Sequence, residues 1–275
     1  MVLESLRSAV SGLSLPCRWL PGIAGGSFAA SFLILQYYAG LFIAERLWIL
    51  EMVLFPFFVA GLMYQVRSGE RTPGSFFSGG VSYYFPVLLP SLVIFFGVLL
   101  TIFLLFIPLV AMGIAGSSLA FVVISVSVSI LFFTFFYDTA AVIEERKVFD
   151  AVRRSVEFVL QRTRACLIFY LVSLAIGFAI FSGTLIVWTA ALYDRLEPMA
   201  AMSQAELQAF TFDQFNALLG ADGILITAAL LFLAVTVTVS ILYSFKACFF
   251  RDSAGTPSAG TDFGEYDEKG RWFRY

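Results

Sequence analysis

The sequence predicts an all-α, polytopic membrane protein with six transmembrane helices. Of its 275 residues, 60% are hydrophobic and 13% are charged, whereas a soluble domain carries about 25% charged residues. No charged residue occurs within 72–137, 165–193 or 223–245. A helix needs about 20 mostly apolar residues to cross a bilayer, and continuous apolar runs favour helices over the alternating strands of a barrel.

Span length divides the chain into one transmembrane domain, residues 1–250, and a tail, residues 251–275. The tail begins with a Gly, Ser and Pro-rich linker, and its aromatic and basic end, 266–275, is a hypothetical binding segment for a partner. The predicted spans are 19–44, 47–66, 86–114, 118–139, 165–193 and 223–245.

The loop between the fifth and sixth spans, residues 194–222, is predicted to be structured. Ser203 with Glu206, and Thr211 with Gln214, have the spacing of capping boxes. In a capping box the two side chains bind each other's backbone N–H groups at a helix start, so two short helices are expected.

The distribution of basic residues predicts a multi-pass protein of the cell membrane with both termini in the cytoplasm. If the N-terminus is inside, only Arg46 and Arg195 of the 17 Lys and Arg residues lie outside, as the positive-inside rule requires. Lys246 is counted among the inner cations, at the end of the sixth span. The basic residues form no nucleic-acid-binding face, and without His or paired Cys no metal or other cofactor is expected.

Amphipathic interfacial helices are predicted before each odd-numbered span. Leu3, Phe76 and Phe149 stand in these three stretches at intervals of 73 residues. This spacing suggests a threefold repeat of an interfacial helix followed by a transmembrane hairpin. Loop–hairpin–loop architecture also gives similar spacing by coincidence, so the repeat is a hypothesis.

The third interfacial stretch is the most basic. Its cations lie beside the inner ends of the fourth and fifth spans, where they either anchor the topology or bind anionic lipid head groups. The candidate head-group contacts are Arg146, Lys147, Arg153, Arg154, Arg162 and Arg164.

Four charged residues in or near the spans are candidate functional groups. Asp138 lies near the inner end of the fourth span, and Glu45, Arg46 and Glu51 flank the first hairpin on the outer side. A carboxylate inside the hydrocarbon is costly and is a functional candidate by default. The alternative for Asp138 is an interface-level acid paired with a neighbouring Arg or backbone donor, and for Glu51 it is solvation by head groups. Because these two carboxylates are assigned to opposite faces, no pathway between them is expected.

Two sequence segments also resemble a known family. Tyr137 to Glu144, YDTAAVIE, and Val148 to Ser155, VFDAVRRS, resemble prokaryotic six-span membrane proteins, archaeal members among them, that are similar to the membrane domain attached to some glycerophosphodiester phosphodiesterases. The resemblance implies a fourth span that leads through an interfacial helix into the fifth. It implies no phosphodiesterase activity, because the chain has no room for that soluble domain.

Three functional classes are compatible with these features. A non-enzymatic scaffold or accessory subunit that interacts with lipids or partner membrane proteins ranks first. A small-molecule or lipid transporter is the alternative, favoured if a central cavity is lined by Asp138, Gln36, Tyr37 or Glu51. An enzyme ranks last, because no acid, base and nucleophile converge in the sequence and no catalytic residue is assigned.

Overall fold

The computed structural model describes residues 2–113, 116–200 and 202–254 and two short strands in the tail, β1 Glu265–Tyr266 and β2 Trp272–Phe273, which pair antiparallel. The rest of the predicted linker and partner-binding segment lies outside the described residues. The helices of the described ranges are α1 Val2–Gly12, α2 Leu20–Ala39, α3 Leu41–Ser68, α4 Pro73–Ser82, α5 Tyr84–Ala111, α6 Ser117–Thr134, α7 Tyr137–Ile143, α8 Val148–Gln161, α9 Thr163–Ala191, α10 Tyr193–Ala200, α11 Gln204–Ala209 and α12 Phe212–Ala254.

The fold class is the one predicted, an all-α membrane bundle. Six segments of the described chain are long and apolar enough to cross a membrane: α2, α3, α5, α6 with α7, α9 and α12. Arg67 at the end of α3 donates to the carbonyl of Val142 in α7, and Arg251 near the end of α12 donates to that of Val66 in α3. We call the side where these three ends meet the basic side, and the opposite side, which carries α10 and α11, the loop side.

The first hairpin turns earlier than the sequence suggests. The chain reverses at Gly40, whose φ of 85° is a left-handed value that glycine adopts without steric cost. Glu45 and Arg46 therefore lie in the first turns of α3 and not in the connection, so the predicted end of the first span at residue 44 is wrong. Both residues are exposed there, where head groups solvate charge without breaking the helix.

The sixth span is longer than predicted. α12 contains a break at Gly220, with φ 64°, and continues to Ala254 instead of ending at residue 245. The extension follows from packing, because Phe249 and Phe250 are fully buried. Their rings lie 5.8 and 6.1 Å from that of Phe136 and form part of the central aromatic core.

The second helices of the first and last hairpins, α3 and α12, contact each other and the short helix α7 that ends the second hairpin. Helices α5 and α9 bury few of their side chains. Each of the short helices α1, α4 and α8 packs against the second helix of the hairpin before it: α4 on α3, α8 on α7 and, closing the circle, α1 on α12. The order of elements therefore repeats three times.

A buried serine marks each of these contacts. The Ser5 hydroxyl donates to Asp252 of α12 at 2.8 Å, and Ser75 accepts from Gln65 of α3 at 3.4 Å. Ser155 accepts from the backbone N–H of Phe136, beside α7, at 2.9 Å. Because these hydroxyls are buried, water does not replace a lost hydrogen bond, so each hydroxyl fixes the position of its helix.

The 73-residue register of the hypothetical repeat is wrong. Leu3 and Phe149 are 70% and 74% exposed, whereas Phe76 is completely buried. The three residues do not occupy equivalent positions. The three short helices were correctly predicted, but the residues that the 73-residue spacing relates lie on different faces of these helices.

Close approach of backbones joins α2 to α12. A Cβ on Gly22 would overlap the carbonyl oxygen of Thr236 and the hydroxyl of Ser240, and a Cβ on Gly26 would lie 2.6 Å from the carbonyl oxygen of Phe232. Small residues let membrane helices approach this closely, and the close packing gains dispersion energy. This pair of helices holds the first hairpin against the last.

The loop side is structured by the predicted capping boxes. The N–H of Ser203 donates to Glu206 at 2.7 Å and the N–H of Thr211 donates to Gln214 at 2.8 Å, and both reciprocal bonds are present. An additional helix, α10, was not predicted. Its Arg195 binds the carbonyl of Leu219 and lies 3.3 Å from the carboxylate of Asp222, which fastens the loop to the start of α12.

Candidate functional site

A buried ion pair joins α7 to α12. The ammonium of Lys246 lies 2.8 Å from Oδ2 of Asp138, and the two side chains are 4% and 3% exposed. Oδ1 of Asp138 accepts the N–H of Thr139 at 2.7 Å. The ammonium also lies 4.0 Å from the ring centroid of Phe135 and 5.3 Å from that of Tyr243. Aromatic faces attract cations, so both charges are compensated away from water.

The partner of Asp138 was missed by sequence reasoning. The predicted backbone donor is present, as the N–H of Thr139, but no neighbouring Arg supplies the counter-charge; Lys246, 108 residues away, does. The sequence contains one signal of this pairing. The four residues after Lys246, Ala-Cys-Phe-Phe, are apolar, so a lysine followed by another turn of apolar residues lies inside a span and needs a buried partner.

A recess of about 250 Å³ opens between α3, α5, α7 and α12. Trp48 and Glu51 line one part of it, and Tyr137, Asp138 and Tyr243 line another. The two carboxylates, which were predicted to have no common pathway, therefore border one recess.

Helix geometry explains how one recess reaches both carboxylates. Glu51 lies five residues from Arg46 toward the basic side, which is about 8 Å along α3 at 1.5 Å per residue. Asp138 lies a similar distance from the end of α7 at Ile143. Each carboxylate is thus displaced from its own face toward the middle of the bundle.

Glu51 is the uncompensated charge of this recess. Within the part of the chain that the structure describes, its carboxylate makes no hydrogen bond and no ion pair. Glu45 and Arg46 lie outside the recess, and the Arg46 guanidinium stands 4.6 Å from the ring centroid of Phe42. Tyr37 packs instead in a separate cluster near Leu192 on the loop side, and the fourth candidate lining residue, Gln36, does not border the recess.

The candidate head-group cations differ in their contacts with carboxylates of the protein. Two nitrogens of Arg154, Nε and Nη2, donate to Glu144 at 2.8 and 2.9 Å, and Arg153 pairs with Glu157 at 2.8 Å. Arg146 reaches Glu144 through Nε alone, at 3.3 Å.

The remaining three cations flank the ends of α8. Lys147 is its N-cap and is exposed, Arg162 is its C-cap, and Arg164 is exposed in the first turn of α9. The structure therefore holds Arg153 and Arg154 in ion pairs with the protein and leaves Lys147 without a protein partner among the described residues.

The two acids beside these cations have lowered pKa values. Burial alone would raise the pKa of Glu144, but the hydrogen bonds and charges of Arg154 and Arg146 outweigh burial and lower it. For Glu145, the hydrogen bonds from Tyr83 and Arg67 lower the pKa. Both carboxylates are ionised near neutral pH and hold the helix ends of the basic side together.

In the described residues, no group of three or more Cys, Asp or Glu side chains is arranged to hold a metal ion. Comparisons of the chain with family models, curated proteins and solved structures find no match. The resemblance over Tyr137–Gln161 stays a prediction. Fold and site define the class as a six-span helical membrane protein with a buried ion pair and an acidic, aromatic recess.

Proposed function

We propose that this protein is a cell-membrane transporter for a small organic cation and that the recess between α3, α5, α7 and α12 is its binding site. The proposal rests on one observation, the uncompensated carboxylate of Glu51 in a recess walled by aromatic side chains. A carboxylate inside the membrane attracts a counter-ion, and aromatic faces favour organic cations. A bound cation would neutralise Glu51 as Lys246 neutralises Asp138.

The composition of the wall favours an organic over an inorganic cation. Trp48, Phe55, Tyr137 and Tyr243 line the recess together with aliphatic side chains. Such a mostly apolar surface buries the apolar part of an alkylammonium. The volume of about 250 Å³ suits a compact ligand.

The membrane orientation is part of the same proposal. The basic side carries nearly all Lys and Arg residues of the described chain, so the positive-inside rule supports a cytoplasmic basic side with both termini there. Glu51 then lies nearer the outer face and the Asp138–Lys246 pair nearer the cytoplasm.

Uptake of radiolabelled tetraethylammonium into proteoliposomes tests the proposal. We expect saturable uptake by the purified protein and a loss of at least about tenfold in Glu51→Gln, since the bound cation loses its charged partner in a partly buried site. Glu45→Gln is the matched control, because it removes the same charge from an exposed position on the same helix. Equal uptake by the wild type and Glu51→Gln would refute the proposal.

The scaffold remains the second candidate, and the wide exposed faces of α5 and α9 favour it. Leu104 on α5 and Phe178 on α9 are 65% and 70% exposed, and such faces accept either lipid tails or helices of another protein. A photo-crosslinking residue at position 178 distinguishes a scaffold from a transporter. One discrete protein adduct in native membranes, with no cation uptake, would favour the scaffold over the transporter.

A further inference from the structure

A second groove lies on the basic side, between the first turns of α5 and the connection from α7 to α8. Its volume is about 390 Å³. Phe85 and Leu89, on the α5 wall, are 61% and 42% exposed, so the groove opens toward the side of the bundle. Arg146 and Lys147 stand at its other end. The groove is thus apolar along the span and basic where the span ends.

The charge at the basic end is not cancelled by the acids around it. Glu145 also borders the groove, but its carboxylate is bound by Arg67 at 2.7 Å and by the hydroxyl of Tyr83 at 2.6 Å. Lys147 is exposed, and the described chain supplies no hydrogen bond or ion pair to its ammonium. Arg146 contacts Glu144 only through Nε, so its two terminal nitrogens do not bind that carboxylate.

We propose that this groove binds one anionic phospholipid. An acyl chain lies along Phe85 and Leu89, and the phosphate lies between Arg146 and Lys147. The depth of the groove in the membrane suits a phospholipid. The groove begins where α5 starts and therefore crosses the boundary between head groups and hydrocarbon. The start of α8 at Val148 adds its positive dipole end to the two cations.

The choice of an anionic lipid follows from the balance of charge. The outer group of phosphatidylcholine is itself a cation and would face Lys147, whereas phosphatidylglycerol presents only the negative phosphate. A soluble phosphate would gain nothing from the apolar wall. The site is separate from the recess at Glu51, so its occupancy does not depend on the proposed transport.

Native mass spectrometry of the full chain from nanodiscs with equal phosphatidylglycerol and phosphatidylcholine tests this site. We expect one tightly retained phosphatidylglycerol and a weakening of about fivefold in Lys147→Gln, the contribution of one cation near an anionic surface. Lys147→Arg keeps the charge and should keep the lipid. Arg153→Gln is the matched control, since Arg153 is exposed, pairs with Glu157 and does not border this groove.

A second variant examines the apolar wall. Leu89→Trp fills the groove without changing its charge and should remove the retained lipid while the protein stays monodisperse. The proposal is overturned if Arg153→Gln weakens retention as much as Lys147→Gln does, if Leu89→Trp keeps the lipid, or if both lipids are retained equally. Displacement by millimolar soluble glycerol phosphate would also overturn it, because the apolar wall would then contribute nothing.

Discussion

Glu144 and Glu145 are adjacent in sequence, yet their carboxylates bind arginines on different helices. Glu144 binds Arg154 of α8 and Glu145 binds Arg67 of α3. The backbone at Glu145 has φ 54°, a left-handed conformation that is uncommon for residues other than glycine. One short connection after α7 therefore joins the end of α3 to the middle of α8.

The Glu144–Arg154 pair predicts a loss of stability in acid. Because the folded pKa of Glu144 is lowered, its contribution is complete above the ordinary carboxyl pKa of about 4.3 and is lost as the pH falls through the folded value. Thermal unfolding in detergent should show a nearly constant Tm from pH 7 to about 5.5 and a falling Tm below about 4.5.

Glu144→Gln should lower the stability at pH 7 by about 1 kcal/mol and flatten the decline in acid. Glu157→Gln is its control, since the exposed Arg153–Glu157 pair should contribute little. An equally steep acid decline in Glu144→Gln would show that other carboxylates determine it.

The buried ion pair predicts non-additive effects of its two residues. Lys246→Met leaves the Asp138 carboxylate buried without its cation, and Asp138→Asn leaves the ammonium without its anion. Each single change should cost about 3–5 kcal/mol, whereas the double variant should cost clearly less than the sum. Tm measurements on the wild type, the two single variants and the double variant complete this double-mutant cycle. Additive losses would mean that the two charges do not stabilise each other.

The sequence predicts the elements of this fold better than their partners. Six apolar runs, three short helices before the odd-numbered spans and two capping boxes are local features, and each was found, although the sixth span continues to Ala254 beyond its predicted end at residue 245. The first turn was misplaced because Glu45 and Arg46 marked a polar boundary more visibly than Gly40 marked a reversal. Charge is tolerated at the end of a membrane helix, so it does not by itself show where the chain turns.

The candidate site was predicted only in part, and for a physical reason. Asp138 and Glu51 stand out because charges within apolar runs are rare and costly. Their common recess and the pairing of Asp138 with Lys246 depend on how α3, α7 and α12 meet, which no local periodicity encodes. The same limit applies to the repeat, whose buried serines become visible only in the contacts between one hairpin and the next.

The contact between α2 and α12 predicts strong sensitivity at Gly22. Gly22→Ala places a methyl group against the carbonyl oxygen of Thr236, so the helices must separate. A loss of about 1–3 kcal/mol is expected from such overpacking. Gly97→Ala on α5 is the control, since no atom lies within 4 Å of its Cβ position; it should be neutral or slightly stabilising. Equal Tm values for both variants would contradict the close packing of these helices.

The proposed orientation predicts which side of the membrane a thiol reagent reaches. The natural cysteines are unsuitable, because Cys17, Cys166 and Cys248 are 7%, 0% and 1% exposed. Gln208 on the loop side and Glu70 on the basic side are both exposed. A membrane-impermeant maleimide added to intact cells should label Gln208→Cys and should label Glu70→Cys only after permeabilisation. The opposite pattern would place the basic side outside, against the positive-inside rule, and would bring Glu51 nearer the cytoplasm.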